Sequence, residues 1–122
     1  MADVPGKVIT IDMLREMFER MERAQQWDFS KPMVWGYFFT HSEPSALQEA
    51  AKELQTHGYR VVDVYLSEKE EPTEPDLWWL HVERVEVHSP ETLDTRNDHL
   101  YRFAFRRGLG TYDGMDVGPA KI

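Results

Sequence analysis

The chain has 122 residues, enough for one domain and too few for two. It holds no cysteine, which excludes a disulfide framework, thiolate zinc sites, iron–sulfur centres and cysteine nucleophiles. Lys and Arg number 14 against 22 Asp and Glu, and the resulting charge of −8 repels bare phosphate backbone, so no direct nucleic-acid binding is expected.

Met1 to Lys7 reads as a short frayed lead-in, and residues 1–9 are expected to be flexible ahead of a single domain over 10–122. From Thr10, a fair N-cap, Leu14, Met17, Phe18 and Met21 recur at three- and four-residue steps and predict a helix over 11–25. Lys31-Pro32 stops any helix. Met33 to Thr40 is aromatic-rich and apolar on both faces, which predicts a central strand. Ser42-Glu43-Pro44 opens a second helix whose narrow stripe is Leu47, Ala50, Ala51 and Leu54, and Gly58 ends it. A second strand runs from about Tyr59 to Leu66, with Val62, Val64 and Leu66 on one face and Val61, Asp63 and Tyr65 on the other.

The stretch from Ser67 to Asp76 carries five acids and two prolines and predicts a solvated loop. A third strand follows from about Leu77 to Val87 and opens on Trp78-Trp79. Ser89-Pro90-Glu91 starts a third helix that turns Leu93, Leu100, Tyr101 and Ala104 inward and closes at Gly108. Leu109 to Met115 makes a short last strand, with a turn at Asp113-Gly114. Two strand–helix–strand pieces joined through the acidic loop predict an α+β, ferredoxin-like sandwich, βαββαβ with a four-stranded antiparallel sheet. Two helices cover one sheet face. The N-terminal helix is the expected cover for the other.

Reactive chemistry is sparse. No glycine-rich phosphate loop or Gly-x-Ser-x-Gly elbow occurs, and Ser42 and Ser89 serve better as helix caps. His81 and His88 fall on opposite faces of a regular strand, and no His-x-His or His-x-x-x-His pair exists, so neither a metal nor a cofactor is expected. Asp113 and Asp116 around a glycine suit a turn better than a cation site. A sheet face bearing Trp35, Tyr37 and Phe39 suggests an RNA-stacking platform, but the third strand lacks that module's basic-Gly-aromatic run. No apolar run approaches the ~20 residues that span a bilayer. The N-terminus has none of the basic and apolar regions of a secretion signal, so a cytoplasmic protein away from the membrane is expected.

Three ordered motifs carry a family resemblance. Leu54-Gln55-Thr56-His57-Gly58-Tyr59-Arg60-Val61 ends the second helix, Val85 to Leu93 leads into the third, and Tyr112-Asp113-Gly114 follows it. With them, the stretch from Trp35 to Val117 resembles the regulator of ribonuclease activity B family (RraB). The resemblance implies an acidic, cytoplasmic α/β sandwich without catalysis of its own. It would bind the basic, non-catalytic region of ribonuclease E and lower that enzyme's activity. Met115 stands where the family motif has Trp, and Gly118 to Ile122 does not match the long acidic tail of some members.

The leading expectation is therefore a binding regulator of a ribonuclease or another basic protein segment. Glu68, Glu70, Glu71, Glu74 and Asp76 would stand in for phosphates and Trp79 would anchor the partner, with Tyr112 and Asp113 as further contacts. A second expectation is a small enzyme with a pocket between the sheet and the N-terminal helix, using Asp113, His81 and Tyr112. A third is a homodimer formed through an uncovered aromatic sheet face.

Overall fold

The computed structural model describes residues 4–25 and 27–120. Its elements, in order, are α1 (Ile11–Arg23), β1 (Met33–His41), α2 (Pro44–Thr56), β2 (Arg60–Leu66), β3 (Trp78–Glu86), α3 (Pro90–Arg106) and β4 (Thr111–Pro119). The sheet runs β2-β3-β1-β4 and every neighbouring pair is antiparallel, which is the ferredoxin-like order. Local signals set most boundaries. The Thr10 hydroxyl accepts from the Met13 amide, and the Ser89 hydroxyl accepts from the Thr92 amide. Gly58 and Gly108 have φ of +89° and +67°, the left-handed geometry that closes a helix. Ser42 does not cap α2; Glu43 occupies that position, and its amide donates to His41 Nδ1 at 2.8 Å.

One face of the sheet forms the core. Along β1, Met33, Trp35, Tyr37 and Phe39 are at most 5 % exposed, and from the helices Leu47, Ala50, Leu54, Leu93 and Leu100 pack against them. Trp35, Tyr37 and Phe39 are thus core residues and no stacking platform. A polar network is buried with them: the carboxylate of Glu86 accepts from the Tyr37 hydroxyl (3.0 Å) and Arg96 Nη2 (2.7 Å) and bonds His88 Nε2.

One expectation about placement changes. The N-terminal helix leaves the second sheet face bare and lies beside α3 on the helical side, where Leu14 and Phe18 are buried. The Phe18 ring stacks on Trp35 at 5.9 Å and meets Phe29 at 5.0 Å, so the large aromatics on that side offer its apolar stripe more area to bury. Ahead of it, Lys7 pairs with Asp94 (3.0 Å) and Asp98 (2.7 Å), and the Val8 and Ile9 amides donate to the Tyr101 hydroxyl. These contacts come from residues 7–9 of the expected lead-in; residues 1–3 lie outside the described residues.

The last strand is longer than its sequence suggests. Asp113-Gly114 is a β-bulge, not a turn: Phe38 pairs with Gly114 and Phe39 with Tyr112, which leaves Asp113 as the extra residue. Gly114 takes φ of +119° there, and pairing continues to Pro119.

Candidate interaction surface

Strand alternation decides what the bare face of the sheet carries. Residues next to the buried ones on β1 and β3 turn outward, and register sets their neighbours. Tyr65 faces Trp79, Asp63 faces His81, His81 faces Phe38, and Gly36 faces both Glu83 and Asp116. Tyr65 and Trp79 stack with rings 6.5 Å apart and 7° from parallel, and Phe38 and His81 stack at 4.3 Å and 19°. The Phe38 ring meets Trp79 edge-on at 6.4 Å. An aromatic row therefore crosses three strands, with Tyr65 still 37 % exposed.

Carboxylates surround that row. Burial raises the Tyr65 hydroxyl above its ordinary range, and the charges of Asp63, Asp113 and Asp116 push it further the same way. Burial also raises the Asp113 carboxyl. Gly36 has a steric reason to be glycine, since a Cβ there would collide with the Asp116 carboxylate and come within 2.8 Å of His81 Nε2. Both side chains fold over the strand into that space. They line a shallow depression of about 530 Å³ together with Arg60, which is paired to Glu83 (Nε to Oε1, 2.8 Å).

The acidic loop leaves the sheet at the Tyr65–Trp79 end, where the Ser67 amide donates to the Leu77 carbonyl at 2.8 Å. Glu68, Glu70, Glu71, Glu74 and Asp76 are all exposed. Asp76 pairs with Lys69 at 2.5 Å, and a Glu74 carboxylate oxygen accepts from the Glu71 amide at 3.3 Å.

The structure brings Trp79, Asp113 and the loop to one side of the molecule, with Trp78 packed on the core opposite. Tyr112 is 5 % exposed, and its hydroxyl donates to Asn97 at 2.6 Å on the helical side; it has no surface to present to a partner. That placement also separates the trio named for catalysis, since the sheet lies between His81 on the bare face and Tyr112 beneath α3. Sequence reasoning missed Phe38, Tyr65, Asp63 and Asp116 as parts of this surface. The shared parity of Asp63 and Tyr65 was the available signal. A bulge between Val61 and Asp63 hides its extent, because it leaves Val62 39 % exposed where strict alternation groups it with Val64 and Leu66.

No curated protein matches the chain. A sequence model of the family described as Regulator of ribonuclease activity B matches residues 11–117, from the first residue of α1 into β4. With a match over all three helices and most of the sheet, this chain belongs to the regulator of ribonuclease activity B family.

Proposed function

We propose that this protein is a non-catalytic inhibitor that docks a basic segment of a ribonuclease of the ribonuclease E type on its bare sheet face and so withdraws that segment from RNA. The observation that carries this reading is the stacked Tyr65–Trp79 pair with Asp63, Asp113 and Asp116 around it and the acidic loop at its end. Arg side chains stack on aromatic faces while their forks bind carboxylates, and this surface supplies both partners within one patch. Exposed ion pairs contribute only ~0–1 kcal/mol each, so the aromatic pair anchors the complex and the acids orient it.

A face-to-face homodimer fits the same surface less well. Pairing two copies through this face would bring Asp63, Asp113 and Asp116 against their own equivalents, with Arg60 already engaged by Glu83.

Calorimetric titration with the basic non-catalytic region of the nuclease tests the proposal. At about 50 mM salt we expect saturable binding, weakened at least tenfold near 300 mM as the Debye length shortens. Trp79→Ala weakens it as strongly at both salts, whereas neutralising Glu68, Glu70 and Glu71 to Gln removes much of the salt dependence. Absent binding, or binding indifferent to both salt and Trp79→Ala, defeats the reading.

A further inference from the structure

One groove on the helical side reverses the charge pattern of the bare face. A groove of about 620 Å³ runs between α2 and α3 and reaches Arg84 on β3. Its buried floor is Leu54, Leu100 and Phe103. Four guanidiniums line it, from Arg84, Arg96, Arg102 and Arg106. Carboxylates are scarce by comparison. Glu53 is shared between Arg106 and Arg107, and Glu86 between Arg84 (2.9 Å) and Arg96 (2.7 Å). Arg102 forms no ion pair among the described residues. The four arginines that line the groove against Glu53 and Glu86 leave an excess of two positive charges on a chain whose overall charge is −8.

Two of these cations are also held in place. The guanidinium carbons of Arg84 and Arg96 lie 5.5 and 5.7 Å from the centroid of the Tyr59 ring. Arg84 Nη1 donates to the His57 carbonyl at 2.8 Å, and Arg96 Nη1 donates to the Tyr59 hydroxyl at 3.0 Å. Guanidiniums fixed in this way lose little further rotamer freedom when they bind an anion, which is what pre-organises an anion site. Of the lining arginines only Arg102 has no carboxylate partner among the described residues, and an anion in the groove would supply one beside the fixed Arg84 and Arg96.

We propose that this groove binds a small organic anion: a flat apolar body on the Leu54–Leu100–Phe103 floor, with a phosphate or carboxylate held by Arg84, Arg96 and Arg102. Its volume falls within the ~300–1,000 Å³ usual for ligands of about that size, and a nucleoside monophosphate is the natural phosphate-bearing probe. The groove lies across the sheet from the acidic face, so its ligand and a basic protein segment bind without overlap. The two proposals therefore stand or fall separately.

Titration of the full-length protein, followed by nuclear magnetic resonance, decides the matter with four probes: adenosine monophosphate, 1-naphthoate, adenosine and inorganic phosphate. We expect saturable shifts at the amides of His57, Tyr59 and His99 with at least one of the first two. Adenosine and inorganic phosphate should bind at least tenfold more weakly than that probe. The stronger of the first two identifies the head group as phosphate or carboxylate. Arg102→Gln removes an exposed cation that forms no ion pair, so the fold should survive, and it should weaken binding at least fivefold. Arg96→Lys keeps the charge but removes the fork, with loss of similar size. Shifts that never saturate at the groove with either organic anion, or affinities unchanged in both variants, overturn the proposal.

Discussion

Single carboxylates show how this chain divides its acids between stability and contact. Glu86 is the shared partner of Arg84, Arg96, His88 and Tyr37. Burial pushes its pKa up, yet the His88 hydrogen bond and the Arg96 charge outweigh burial and hold it below the usual 4.5. Glu53 is held at about 2 by its hydrogen bonds to Arg106 and Arg107. Both acids have a folded pKa below the unfolded one, so their stabilisation is complete above about pH 5 and fades as pH falls toward about 2. Urea unfolding at pH 7 should therefore show Glu53→Gln less stable than the parent chain, with the gap closed near pH 2. Glu86→Gln at pH 7 should cost about 2–3 kcal/mol, the price of leaving two guanidiniums without their shared counterion. Asp113 goes the other way. Burial raises its pKa and no cation lowers it, so its charge weakens the fold at neutral pH. Asp113→Asn should raise the unfolding midpoint at pH 7 while weakening capture of the basic partner, a trade expected where a charge is kept for contact. A lower midpoint together with unchanged binding would remove Asp113 from the surface proposed for the nuclease.

At the scale of elements, what the sequence revealed depended on how local the determinant was. Helix starts and stops rest on neighbouring residues: Thr10 and Ser89 cap their helices, and Gly58 and Gly108 close theirs. The resting place of α1 has no local determinant. Its stripe of Leu14, Met17, Phe18 and Met21 says only that one side is buried, and β1 offers apolar side chains on both faces. In the fold Phe18 meets Phe29, just beyond the helix, and Trp35 on the helical face of β1, and nothing in the stripe itself says which face of β1 it will meet. The same reasoning explains the error at Asp113-Gly114. A pair that favours turns also suits a bulge, and only the partner strand distinguishes them. Gly114 is the residue that pins the bulge, at φ of +119°. Gly114→Ala should destabilise the fold by about 1–2 kcal/mol from backbone strain alone, because the nearest atom to the added methyl, Ile9 Cδ1, lies at an acceptable 3.4 Å. Thermal unfolding measures it. A neutral result would mean the bulge relaxes into ordinary pairing.

For the molecule as a whole, the −8 is unevenly spread: the helices mix acids with bases, one groove among them is arginine-rich, and the bare sheet face with its loop is acidic. The groove between α2 and α3 gathers Arg84, Arg96, Arg102 and Arg106, while the bare sheet face and its loop hold Asp63, Asp113, Asp116 and Glu68 to Asp76. Composition shows the sum but not the division, because assigning an acid to a face requires register. This division bears on how a protein with an uncovered row of Phe38, Tyr65 and Trp79 stays dispersed. Exposed aromatic rows invite self-pairing, and here the surrounding carboxylates meet their own kind whenever two copies approach face to face. Charge, in this account, is what prevents association. Light scattering at about 50 mM salt should therefore give a monomer, and near 1 M, where the screening length falls to ~3 Å, a growing share of dimer. Trp79→Ala should abolish the high-salt dimer by removing the stacked pair. A dimer that forms at low salt and dissolves on adding salt would instead be held by opposite charges, arginine groove against acidic face, and would refute the idea that repulsion keeps the aromatic row free for a basic partner.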